Sequence, residues 1–198
     1  MPKHGIDEAG WFTRATREPS PNFDARPSGV TPSLLVLHNI SLPPGQFNGQ
    51  AIIEFFQNRL DVDAHPFYAQ IRGVRVSSHF LIRRDGEIVQ FVSCNDRAWH
   101  AGLSTFLGQD RCNDFSIGIE LEGSDEQPFD EVQYAPLANL ASALIERYAL
   151  TAVAGHSDIA PGRKTDPGPY FDWPRLRRML ALPAEYFPYL GADQFDAR

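Results

Sequence analysis

The chain has 198 residues, 42% of them hydrophobic, and a formal net charge of -7. That length and apolar content suit one domain with a substantial core, and no run approaches the ~20 apolar residues of a membrane span. The acidic balance, without any lysine and arginine cluster, argues against a nucleic-acid partner.

The first residues carry Asp7 and Glu8 where a signal peptide would begin its apolar core, so a cytoplasmic protein is expected. Cys94 and Cys112 are then expected to be reduced thiols, and two cysteines are too few for a cysteine-rich metal site. Residues 1–32 read as an irregular wrap, broken by Pro19, Pro21, Pro27 and Pro32, with Phe12 and Phe23 packing it down. Leu34–His38 is evenly apolar and short, which predicts a buried strand. Residues 41–49, with Pro43, Pro44 and two glycines, form a loop whose Asn48 is a candidate helix cap. Ile52, Phe55, Phe56 and Leu60 recur at helical spacing, and 61–76 reads as a second loop. The two loops are expected to border a groove.

Asp85-Gly86 between two alternating runs predicts a hairpin over 78–92. Phe115–Leu121 alternates: Phe115, Ile117, Ile119 and Leu121 fall on one face, Ser116, Gly118 and Glu120 on the other. Gly118 is expected to leave open space beside Glu120. Leu137, Leu140, Leu144, Ile145 and Tyr148 predict an amphipathic helix, and 151–155 a short strand ending at His156. Asp172 is the expected cap of a last helix through Leu176, Met179 and Leu180. An aromatic tail from Pro183 is expected to dock on the surface. Strands interspersed with helices predict a single α/β (α+β) domain with a central mixed sheet flanked by helices.

Six histidines are present. His4 lies at the chain end. His65 precedes a proline and reads as exposed. His79 reads as a satisfied core residue or a group behind the site. His100 stands with Trp99 and Gly102 as a pocket candidate, because an aromatic face suits a sugar ring. His38 and His156 stand out because each ends an apolar run where a loop begins, and such positions hold functional groups rigidly. Two imidazoles and one carboxylate fill three of the four positions of a zinc ion, the layout of a hydrolytic site. The carboxylate is either Asp158 or Asp166 by spacing alone. Lys164 beside them is a candidate for stabilising an oxyanion. Glu120 is a candidate general base, with Glu122 in the same phase as its rival.

These segments resemble the AmpD family of zinc N-acetylmuramoyl-L-alanine amidases. The matching stretches are 32–45, 83–90, Arg97-Ala-Trp-His-Ala-Gly102, 111–123 and Arg163-Lys-Thr-Asp-Pro-Gly168. The resemblance spans about residues 10–180 and implies an amidase domain over 1–198, with 183–198 as a tail. It assigns one zinc ion to His38, His156 and Asp166, the water-activating carboxylate to Glu120 and the charge-stabilising role to Lys164. Its substrate-contact pattern falls on Asn39, Arg75, Ala98 and Arg111; Trp99 and His100 are added from the residue reading. The implied reaction is hydrolysis of the amide between 1,6-anhydro-N-acetylmuramic acid and the L-alanine of a stem peptide, in cytoplasmic peptidoglycan recycling. The implied partner is the anhydro-muropeptide; no nucleic acid, membrane or obligate protein partner is implied. A recognition module of the same fold would bind muropeptide without cutting and would lack the metal constellation. An amidase of polymeric wall would differ in turnover on insoluble substrate.

Overall fold

A computed structural model describes residues 5–191. Two short strands, β1 (Thr16–Arg17) and β2 (Phe23–Ala25), lie in the N-terminal wrap. They are followed by β3 (Leu34–Ile40), α1 (Ala51–Phe56), α2 (Pro66–Gln70), β4 (Phe80–Ile82), β5 (Ile88–Gln90) and β6 (Asp96–Ala98). Then come β7 (Thr105–Phe106), β8 (Gln109–Asp110), β9 (Ser116–Glu122), α3 (Glu131–Tyr148), β10 (Ala152–Gly155), α4 (His156–Ile159) and α5 (Trp173–Leu180). Six strands form a mixed sheet in the order β1-β5-β4-β9-β3-β10. Only the β4–β5 hairpin is antiparallel in that sheet; β4, β9, β3 and β10 run parallel.

The central strands are buried on both faces, as parallel strands covered by other layers must be. On one face Leu35, Leu37, Ile117, Ile119 and Leu121 pack against Leu137, Leu140 and Leu144 of α3. Complete burial of one such side chain contributes roughly 1.5–3 kcal/mol. Gln133 ties this helix to the sheet: its amide donates to the carbonyls of Ile82 and Glu122, and its Oε1 accepts from Asp130 N–H. Phe115 precedes β9 and packs with Leu34, Val36 and Ala154 in a different cluster from Ile117, so the predicted single-face set is one residue shorter.

Four local expectations change. Residues 61–76 contain α2, started by Pro66 at its first position and by His65, whose Nδ1 accepts from Phe67 N–H. His65 is accordingly half-buried. Asn48 caps no helix; it sits at φ 65°, and its N–H donates to Glu122. α1 begins after Gln50 without a side-chain cap and stops at Phe56, short of Leu60. The wrap is not wholly irregular: β1 pairs with β5 and β2 with β6. Asp172 does cap α5, accepting from Arg175 N–H at 2.8 Å. The tail docks through Phe187, which is buried. His4 and residues 192–198 lie outside the described residues. Both cysteines are free and buried, and no described helix is long and apolar enough to cross a membrane.

Candidate metal centre and its pocket

The parallel register brings the candidate residues to one end of the sheet. His38 is aligned with Glu120 across β3 and β9, and Gly155, aligned with Leu37, delivers His156 to the same level. Catalytic groups in open α/β sheets characteristically gather beyond the carboxyl ends of the strands. After β10, α4 and a turn return the chain so that Asp166 O accepts from Ser157 N–H.

His38 Nδ1 lies 3.0 Å from His156 Nδ1 and 3.0 Å from Asp166 Oδ2; His156 Nδ1 is also 3.0 Å from Asp166 Oδ2. This trio is the possible metal-holding group among the described residues. Both imidazoles are buried. Burial, only partly opposed by Asp166, lowers the pKa of His38 to about 4, so its ring is neutral at pH 7 and offers a lone pair. His156 Nε2 faces the Ala101 carbonyl at 3.1 Å; a carbonyl only accepts, so this nitrogen donates, and the Nδ1 that meets Asp166 is the ring's other nitrogen, available as a metal ligand. Two imidazole nitrogens and a carboxylate oxygen crowded together fit a zinc ion. Asp158, the alternative by spacing, is turned away: its carboxylate accepts from Gly155 N–H at 2.7 Å.

Glu120 is 8% exposed, and its Oε2 has no hydrogen-bond partner among the described residues. Burial, then the charge of Asp166, raises its pKa well above the ordinary carboxylate value, with Lys164 opposing. Glu122 is occupied structurally, accepting from the backbone N–H groups of Asn48 and Arg84. The space expected beside Gly118 is not open. The His100 ring fills it, and a β-carbon there would lie 2.6 Å from that ring. His79 is a satisfied core residue. Its Nδ1 accepts from Gly118 N–H, so Nε2 carries the proton, toward the Asp96 carbonyl.

His38, His156, Asp166, Glu120, Lys164 and Trp99 line one cavity of about 280 Å3. A neighbouring one of about 370 Å3 shares Trp99, His100 and Lys164 and adds Arg75. Lys164 and Arg75 are exposed on this rim. Asn39 also lines the first cavity, but its amide is committed to Asp125 and the Pro167 carbonyl. Arg111 pairs with Asp114 and borders a larger adjacent cavity of about 860 Å3. Ala98 is fully buried in β6, opposite Phe23, so its side chain offers a ligand no surface.

Two residues near the site escaped the sequence reading. Asp125 fastens Asn39 at 2.6 Å. Arg26 reaches from the wrap to the carbonyls of Asn113, Asp114, Cys94 and Ser116. Neither has a local signal, because each acts on residues distant in sequence.

Residues 28–169 match the family described as N-acetylmuramoyl-L-alanine amidase. The chain is 56% identical over 179 residues to the 1,6-anhydro-N-acetylmuramyl-L-alanine amidase AmpD of Salmonella typhimurium, covering 89% of this chain and 96% of that protein. A crystal structure of a selenomethionine derivative of AmpD superposes with a TM-score of 0.86 at 55% identity, covering 88% of this chain and 98% of that one. The amidase AmiD of Escherichia coli, solved with the substrate anhydro-N-acetylmuramic acid-L-Ala-D-γ-Glu-L-Lys, is 31% identical with a TM-score of 0.56, covering 88% and 65% of the two chains.

Proposed function

Because this chain belongs to the N-acetylmuramoyl-L-alanine amidase family, we propose that it hydrolyses the amide joining 1,6-anhydro-N-acetylmuramic acid to the L-alanine of a stem peptide, in cytoplasmic recycling of peptidoglycan. The observation that carries this reading is the convergence of two histidine nitrogens and a carboxylate oxygen in the cavity that also holds the unpartnered oxygen of Glu120.

His38, His156 and Asp166 would hold one zinc ion, which when bound polarises the amide carbonyl and lowers the pKa of water from ~15.7 toward ~7. Glu120 moves the protons. Its Oε2 takes one from the attacking water and returns it to the departing alanine nitrogen. Its raised pKa suits that task, because a base with an ordinary carboxylate pKa would hold the proton only weakly at neutral pH. The Lys164 ammonium offsets negative charge developing on the carbonyl oxygen. Arg75, on the same rim, takes a stem-peptide carboxylate in its guanidinium fork, and Arg111 does so farther along the surface. Trp99 offers an aromatic face to the sugar, and Asn39 holds the cavity wall.

Mass spectrometry of stem-peptide release from 1,6-anhydro-N-acetylmuramoyl-peptide tests the proposal. Cleavage at the lactyl–alanine bond is expected, abolished by a chelator and restored by zinc. Binding without cleavage by zinc-loaded protein would make this a recognition module. Faster turnover of insoluble wall than of the anhydro-muropeptide would make it a wall amidase.

A further inference from the structure

The donors and acceptors behind His38 admit one consistent placement of protons. A carbonyl oxygen accepts and never donates. The Ser116 hydroxyl, 2.6 Å from the Cys112 carbonyl, therefore donates its single proton there. Ser116 Oγ is left as an acceptor toward His100 Nε2 at 3.2 Å, which puts a proton on that nitrogen. His100 is buried, and its ring nitrogens face a hydroxyl and another imidazole, neither of them anionic, so it is neutral and carries one N–H. Its Nδ1 is then a bare acceptor, and His38 Nε2, 2.9 Å away, is the donor. The lone pair of His38 is left on Nδ1, the nitrogen that meets His156 and Asp166.

The two histidines thus reach the same tautomer by different routes. His156 is fixed directly by the Ala101 carbonyl. His38 is fixed through two side chains that end on the Cys112 carbonyl. Gly118 makes the second route possible, because a β-carbon there would collide with the His100 ring. Both ring nitrogens of His100 are engaged in this chain, so its position at the cavity wall offers substrate no free ring nitrogen.

We propose that His100 and Ser116 are positioning residues that lock His38 in the Nε2–H tautomer and aim its Nδ1 lone pair into the metal site. Partners of this kind orient a ligating histidine and raise its basicity; losing one typically costs about 10–100-fold in metal affinity. The proposal rests on the reading of His38 as a metal ligand.

Two measurements on the full chain test it: imidazole 15N shifts of the metal-free protein, and zinc affinity by competition with a chromophoric chelator. In metal-free wild type, His38 and His156 should both be protonated on Nε2. In Ser116→Ala the His100 N–H loses its acceptor, so the His38 population protonated on Nδ1 should rise while His156 stays unchanged. Zinc affinity should fall about 10–100-fold in Ser116→Ala and in His100→Phe. Ser116→Ala removes one oxygen and no carbon, so it probes the chain without the repacking that His100→Phe imposes. A wild-type His38 with no proton on Nε2, or both variants binding zinc as tightly as wild type, would overturn the proposal. Wild type with the expected tautomers but no zinc affinity would overturn the metal site and the positioning role, leaving only the proton chain supported.

Discussion

Glu120, the proposed general base, combines two demands that oppose each other, proton acceptance and burial. Because burial raises its folded-state pKa, the folded chain holds this proton more tightly than the unfolded one. That contribution to stability is complete below the unfolded value of ~4.3 and is lost as pH rises through the folded value. Metal-free Glu120→Gln should therefore unfold at the same temperature as wild type below about pH 4, and at an increasingly higher one toward neutrality. Thermal melts across pH check this; a gap independent of pH would remove ionisation as its source. Glu120→Ala should lower kcat by about 10^2–10^4-fold while zinc affinity is retained, as steady-state kinetics and chelator competition would show. Lys164→Ala should cost about 10^2–10^3-fold in kcat. Its exposure confines the stability change to about 0.5 kcal/mol, which calorimetry on the same sample would detect. Spacing alone did not separate Glu120 from Glu122 or Asp166 from Asp158; the family resemblance made that choice. Each pair is distinguished by its hydrogen bonds, and the backbone donors that occupy Glu122 come from segments far away in the chain.

One strand illustrates what patterning conveys and what it omits. The alternation in β9 was legible, and it put Ser116, Gly118 and Glu120 on a common face. What that face meets was not legible, because the His100 ring arrives from outside the strand. Past this face, at the strand exit, Glu122 fastens the 41–49 loop and the β4–β5 turn to the sheet. Glu122→Gln exchanges a charged acceptor of two backbone N–H groups for a neutral one, and should destabilise the chain by about 1–3 kcal/mol in denaturant titration. An unchanged midpoint would show those N–H groups to be satisfied by water. The strands β3, β9 and β10 and the long helix were readable from their apolar runs, and the β4–β5 hairpin from its Asp-Gly turn, whereas the short strands β1, β2, β6, β7 and β8 were not. α2, five residues long, was not, because it presents no full period and depends on a histidine cap. The burial of Ala98 was not legible for a related reason: it comes from pairing with Phe23 in the wrap, which has no regular pattern.

Over the whole molecule, the site depends on the register between β3 and its two parallel neighbours, β9 and β10. The wrap closes the other side of the sheet through β1 and reaches behind the site through Arg26. The three proposed ligands come from segments that meet only on folding, so they should bind metal in the folded state and weakly in the unfolded one. Zinc at one hundred times its dissociation constant should then add about 2.7 kcal/mol, a rise in Tm of roughly 5–11 °C for a chain of this size. Differential scanning calorimetry with and without zinc checks this, and equal melting temperatures would mean that the three groups do not act together.

The strand β10, at the edge of the sheet, delivers His156, and Asp166 follows it closely. During synthesis His38 and Glu120 therefore leave the ribosome long before His156 and Asp166, the other two proposed ligands. A chain that stops before residue 156 holds one of the three proposed ligands, however well its earlier strands have paired. If the proposed centre is the catalytic one, only a chain translated past residue 166 can assemble it, and interrupted synthesis should leave fragments without amidase activity.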